Sequence, residues 1–141
     1  MTITLPRPLY EELLEHCRRC WPQEGCGLLA GRTAEADKTV EKIYPLPNLA
    51  QSRTRFDIDQ KDQLRAVIDM RKRQLTLLGN FHSHPDTPAR PSEQDLQLGL
   101  DPAASYLILS LAEKEPALKA FRVAWLSGQP TASQEELIVG P

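Results

Sequence analysis

Histidine and cysteine are scarce in this 141-residue chain, which carries three of each. Cys17, Cys20 and Cys26 are an odd number, a poor basis for a disulfide framework, and they suit a reducing compartment. No apolar run approaches the roughly 18–20 residues that a membrane-spanning helix needs. The opening "MTITLPRPLYEELL" has neither the basic start nor the apolar core of a secretory signal. A cationic excess is missing too: 17 Lys and Arg against 19 Asp and Glu leave a net charge of −2. A nucleic-acid binder normally shows a basic surplus. Repeats, linkers and low-complexity segments are absent. What is left is a soluble globular protein, 40% hydrophobic and 26% charged, expected in the cytoplasm as one domain over residues 1–141.

The pattern along the chain is alternately strand-like and helical. Ile3–Leu5 opens as a short strand, and Pro8 starts a helix on which Leu9, Leu13, Leu14 and Cys17 recur at helical spacing through Arg19. Trp21-Pro22 breaks it. "CGLLAG" (Cys26–Gly31) reads as a buried strand, and Thr39–Asn48 as another that ends or runs along an edge at Pro45 and Pro47. Thr54–Asp59 reads as a short strand, followed by a helix from near Asp59 with Leu64, Val67, Ile68 and Arg71. Leu75–His84 is a strand, Ser92 starts a helix, and Ser105–Ala112 and Leu118–Ser127 are strands. The order β-α-β-β-β-α-β-α-β-β, with "QEELIVG" as a last strand, gives an α/β sheet covered by helices.

Two of the three histidines sit together in "GNFHSHPDTPARPSEQDLQLG". On a strand, residues i and i+2 share a face, so His82 and His84 aim their imidazoles the same way. Two imidazoles at a strand end are half of a zinc site, and a catalytic zinc takes three protein ligands and keeps one position open. Asp95 is the candidate third ligand, because the proline-rich loop can fold back and set the next helix beside the strand end. Ser92-x-x-Asp95 is also a helix-capping signal. Both readings are compatible, since a carboxylate in a first helical turn can face outward to a metal. Such a hydrolase also needs a general base. Glu24, just before the glycine-bounded strand, is the candidate.

Other His-x-His chemistries fail on the same text. "HSHPDT" lacks the final histidine of metallo-β-lactamase-type sites, and only His16 remains elsewhere. A barrel amidohydrolase needs about 200–250 residues. His-Glu-x-x-His does not occur. A cytidine-deaminase site needs Pro-Cys-x-x-Cys downstream of its histidine, and all three cysteines lie upstream.

The set Glu24-x-Cys26-Gly27, His82-x-His84, seven residues, Ser92, two residues, Asp95 strongly resembles the JAMM metalloprotease motif of the Jab/MPN-domain family. "EGCGLLAG", "HSHP" and "PSEQD" match the family's phrasing, and no catalytic position departs from it. The resemblance is to the compact bacterial stand-alone type. It implies a mixed β-sheet flanked by helices, of cytidine-deaminase-like architecture. It further implies one Zn²⁺ on His82, His84 and Asp95, with Glu24 as proton carrier and Ser92 as donor to the carbonyl oxygen. The implied reaction is hydrolysis of a peptide or isopeptide bond at the Gly-Gly tail of a ubiquitin-like or sulfur-carrier protein. A general zinc peptidase or amidase on short peptides, and a metal-binding scaffold without turnover, are the alternatives.

Remaining residues invite plainer readings. Cys17-x-x-Cys20 is packing on the first helix, His16 a surface residue, and Cys26 a small core residue that the family places near the metal pocket. Phe121 and Trp125 alternate as core. Asn48 and "RTRFDID" resemble positions flanking the substrate groove in bacterial relatives.

Overall fold

A computed structural model describes residues 2–141. Its elements run β1 (Thr2–Leu5), α1 (Arg7–Cys20), β2 (Cys26–Ala34), β3 (Asp37–Leu46), α2 (Gln60–Lys72), β4 (Thr76–His84), α3 (Glu93–Leu98), β5 (Ser105–Ser110), β6 (Ala117–Leu126) and β7 (Gln129–Val139). The strands form one mixed sheet in the order β1-β3-β2-β4-β5-β6-β7. It closes on itself because β1 lies parallel to both β3 and β7. The pair β4–β5 is also parallel, and the other neighbours are antiparallel. Closure was not legible in the sequence, since the short β1 gives no sign that it pairs on both sides.

The continuous apolar runs of β2 and β5 follow from burial on both faces. Leu29, Leu107 and Leu109 join Leu13, Leu14 and Cys17 of α1 in the main core, together with Ile3, Val40 and Phe81. On the opposite face Leu28 and Ala30 pack against Ala66 and Met70 of α2. Ile108 meets Phe121 and Ala89 there, the last supplied by the loop after β4. In β4 the pairing with β2 skips Leu78, as Leu29 faces Gly79 and Ala30 faces Leu77. That bulge lets Leu78 and Phe81 point to the same core despite their odd spacing. The β6–β7 turn uses Ser127 and Gly128, both at positive φ, as a two-residue hairpin requires.

Three expectations are corrected. Thr54–Asp59 is not a strand. Its backbone bonds locally instead: Leu49 N–H donates to the Asp57 carbonyl, Asp57 N–H to Asn48 Oδ1, and Asn48 Nδ2 to the Arg55 carbonyl. Helix α2 begins as expected behind Asp59, whose carboxylate accepts the Lys61 N–H, a cap worth about 1 kcal/mol. It turns Ala66 and Met70 inward, however, and leaves Leu64 and Ile68 exposed. Trp125 lies at the surface with its indole N–H on the Gly99 carbonyl, whereas Phe121 is core. His16 is half-buried, its ring against the Cys26 carbonyl and edge-on to Phe81. Among the described residues no helix is long and apolar enough to cross a membrane, and all three cysteines are free thiols.

Candidate metal centre

The carboxyl end of β4 lies where the chain leaves a parallel strand pair through α3, the kind of crevice where α/β sheets bind ligands. Alternation sends Phe81 to the α1 side and His82 and His84 to the other. The loop after β4 is pinned at several points. Leu111 N–H donates to the His84 carbonyl, and Ser110 Oγ–H to the Thr87 carbonyl. Arg53 forms a two-bond fork with Asp86. The loop therefore returns, and the first turn of α3 stands beside the strand end.

Ser92 and Asp95 form a reciprocal capping box. Ser92 Oγ accepts the Asp95 N–H at 3.1 Å, and Asp95 Oδ2 accepts the Ser92 N–H at 2.9 Å. The capping geometry leaves the same Asp95 Oδ2 facing the two imidazoles. Asp95 Oδ2 lies 3.1 Å from His82 Nε2 and 3.0 Å from His84 Nε2, and the two Nε2 atoms are 3.1 Å apart. The result is a nearly equilateral triangle of two imidazole nitrogens and a carboxylate oxygen, almost out of contact with solvent.

This triangle fits a metal ion. Bonds of about 2.0–2.2 Å to three tetrahedral positions require edges of roughly 3.3–3.6 Å, a few tenths beyond those observed. The donor chemistry fits as well. His84 Nδ1 is 2.9 Å from the Pro88 carbonyl, an acceptor only, so Nδ1 carries the proton and the neutral ring turns a lone pair on Nε2 toward Asp95. Without a cation or an added proton, lone pairs and a carboxylate converge here unrelieved. Burial alone would raise the Asp95 carboxyl, but the adjoining His82 and His84 rings and the Ser92 N–H outweigh it and hold the group well below the usual carboxylate range. Burial holds His82 below the ordinary imidazole value. For His84, burial is outweighed by Asp95 and the Pro88 carbonyl, which raise it.

Glu24 is placed by the backbone around it. Its N–H donates to the Ser52 carbonyl at 2.7 Å and its carbonyl accepts from Asn48 Nδ2 at 3.0 Å. Next in line, Gly25 is bonded to Ser83, the residue between the two histidines. The Glu24 carboxyl is buried, and its Oε1 has no partner among the described residues. Burial pushes it up to about 8, with His84 lowering and Asp95 raising it. A carboxyl poised in that range beside a group of side chains that could hold a metal is suited to taking and returning a proton.

Within "RTRFDID", the segment that resembles a groove-flanking one, Phe56 has a specific place. It stacks on His82 with ring centroids 4.6 Å apart and planes at 21°. The same residue lines a groove of ≈ 770 Å³ between Arg55–Asp57 and α3, closed on one side by Gln129 and Pro130. A lone aromatic in a polar loop gives no sequence signal for such a position. Asn48 does not reach into this groove. Its amide is spent on the backbones of Glu24, Ala50, Arg55 and Asp57. Cys26 stands opposite His82 across the β2–β4 pair, fully buried. Burial pushes its thiol up to about 12, so it is packing rather than a reactive group. Cys17 is likewise buried, with its thiol pushed up to about 12 by the same cause.

A model of the prokaryotic homologues of the JAB domain matches residues 6–124. The chain belongs to this family. A probable TtuB-protein conjugate cleaving protease of Thermus thermophilus is 39% identical over 98 residues, which are 69% of this chain and 63% of that protein. The CysO-cysteine peptidase of Mycobacterium tuberculosis is 31% identical over 116 residues, 82% of this chain and 78% of the relative. In solved structures, the JAB-type fold of this chain is similar to the solution structure of a protein from Desulfitobacterium hafniense. That likeness has a TM-score of 0.86 at 49% identity, covering 97% of this chain and 92% of the other. In this JAB domain, His82 and His84 stand on β4, Glu24 just before β2, Ser92 at the N-cap of α3 and Asp95 in its first turn.

Proposed function

We propose that this JAB-family protein is a zinc-dependent metallopeptidase, one Zn²⁺ per chain, built as a single domain over residues 1–141 and acting in the cytoplasm. The reading is carried by one observation. Two Nε2 atoms and Asp95 Oδ2 form a 3.0–3.1 Å triangle, and the buried carboxyl of Glu24 feels the charges of His84 and Asp95. His82, His84 and Asp95 hold the ion. When bound, zinc supplies Lewis-acid polarisation and brings an attacking water toward a pKa of about 7.

The rest falls to the chain's own groups. Glu24 takes a proton from the attacking water as the new C–O bond forms at the scissile carbonyl. It then returns that proton to the amide nitrogen as the C–N bond breaks, so the amine leaves neutral. Ser92 Oγ spends its acceptor capacity on the Asp95 N–H, which leaves its own O–H free. That hydroxyl donates to the carbonyl oxygen as charge develops on it.

The substrate is the C-terminal Gly-Gly tail of a ubiquitin-like or sulfur-carrier protein, joined to a further residue or amine. The relatives' names support this, one cleaving TtuB-protein conjugates and another a CysO-cysteine bond. So does the groove, which runs along the Arg55–Asp57 segment to Phe56, the residue stacked on His82. An extended tail suits such a trench, and glycines let its backbone approach closely. The experiment fuses a carrier protein through Gly-Gly to a short extension and reads cleavage by mass spectrometry. A cut directly after Gly-Gly, lost in an Ala-Ala control, is expected. Equal cleavage of the control, or faster hydrolysis of unrelated short peptides, assigns a general peptidase instead. No turnover of any amide by zinc-loaded protein leaves a scaffold.

A further inference from the structure

The two histidines of the triangle are anchored differently. His84 Nδ1 donates directly to the Pro88 carbonyl at 2.9 Å, which commits its Nε2 to the ligand role. His82 Nδ1 is buried and has no partner among the described residues. On the same face of β4, two residues earlier, Oδ1 of Asn80 is in the same condition. Both residues line one small cavity of ≈ 20 Å³, walled by Phe56, Pro91, Ile108 and Val123. A cavity holds a water once it exceeds about 10–15 Å³ and offers polar partners. This one has the volume for a single water, and Asp95 and Tyr106 complete its polar lining beside His82 and Asn80.

We propose that this cavity is a one-water site through which Asn80 positions His82 for metal binding. The water accepts the His82 Nδ1–H and donates to Asn80 Oδ1. The proton is thereby kept on Nδ1 and the lone pair of Nε2 faces the triangle. The competing arrangement is visible in the geometry. Asp95 Oδ2, at 3.1 Å from His82 Nε2, would accept a proton placed there and so favour the tautomer that cannot ligate a metal. Asn80 opposes that pull from the other side of the ring. Outer partners that fix the tautomer of a ligating histidine are typically worth 10–100-fold in metal affinity. Asn80 touches neither the ion nor the substrate in this scheme and is a positioning residue.

The inference rests on the metal-centre reading, and the test keeps the two apart. Zinc affinity is measured by competition with a chromophoric chelator, and the ring tautomers by nitrogen-15 NMR of metal-free protein at a pH where the rings are neutral. In the metal-free protein His82 is expected mainly as the Nδ1–H form. Asn80→Leu, which removes the acceptor and fills the cavity, should weaken zinc binding at least tenfold and shift His82 toward Nε2–H. Asn80→Asp, which keeps an acceptor oxygen, should stay within threefold of the parent. If the leucine variant does not fold, Asn80→Ala carries the same two measurements. Zinc affinity within twofold of the parent in the acceptor-less variant, equal losses in Leu and Asp variants, or Nε2–H as the main tautomer of the parent would each overturn the assignment. Failure of the parent to bind zinc at all would overturn the metal-centre reading instead.

Discussion

Ser83 Oγ accepts the Gly25 N–H at 2.7 Å, and the Ser83 N–H returns to the Gly25 carbonyl at 2.9 Å. The residue between the two candidate ligands is therefore the one that ties the Glu24 segment to β4. Its side chain points away from the metal centre, toward Cys17 of α1, because it alternates with the histidines. Ser83→Ala leaves a buried N–H without its partner, at a cost of about 1–3 kcal/mol. The expected outcome is a lower melting temperature and a reduced kcat with zinc content unchanged, since neither imidazole loses a contact. Atomic absorption on the folded variant alongside its kinetics checks this. Zinc loss matching the activity loss would show that Ser83 supports the ligands rather than Glu24.

The metal itself gives the second prediction. One Zn²⁺ per chain should be lost to a chelator and restored by added zinc. His82→Ala and Asp95→Ala each remove one corner of a three-ligand site and should lower occupancy strongly. Stoichiometric zinc in both variants would remove these residues from the site.

For Glu24, two measurements are expected to diverge. Glu24→Gln keeps volume and loses basicity, so zinc stays while turnover falls by about 10²-fold or more. Stability moves the other way in the metal-free protein. The folded chain holds the Glu24 proton up to about 8, whereas the ordinary value is 4.5. Between those values the folded state binds more protons than the unfolded one, so stability falls as pH rises through that window. Glu24→Gln removes that slope. Chemical denaturation of chelated protein should find the variant more stable than the parent at pH 8–9 by more than about 1 kcal/mol, the equivalent of one pKa unit, and the two closer at pH 5. Identical pH slopes would mean that the carboxyl is solvated.

Much of this centre is legible in the chain because its signals are local. His-x-His on a strand, Ser-x-x-Asp at a helix start and a glutamate before a buried strand all depend on short-range periodicity. What could not be read depends on distant partners. Thr54–Asp59 has the alternation of a strand, but the Asn48 amide, six or more residues away, takes up its backbone groups first. Leu64 and Ile68 are apolar residues at helical spacing on α2, yet it is Ala66 and Met70 that pack against Leu28 and Ala30 of the sheet. Trp125 shares a strand face with Phe121 but overruns the edge of the layer that covers it. The groove-flanking place of the Phe56 segment is carried by resemblance, but its stacking on His82 depends on how the loop folds.

That contact supports the last prediction. Phe56 covers one face of the His82 ring and lines the groove proposed for the substrate tail, so a single side chain separates groove from metal. An aromatic pair of this kind is worth about 0.5–1.5 kcal/mol beyond its buried area. Phe56→Ala therefore costs modest stability, whereas its larger effect is expected on the tail, which loses an apolar wall next to the scissile bond. KM for a Gly-Gly fusion should rise about tenfold, the equivalent of roughly 1.4 kcal/mol, with a smaller change in kcat and zinc retained. Phe56→Leu, which keeps an apolar wall, should recover most of the loss. A fall in kcat at constant KM in both variants would place Phe56 in the support of His82 rather than in substrate binding. Steady-state kinetics on the two variants, each checked for zinc content, separates these outcomes.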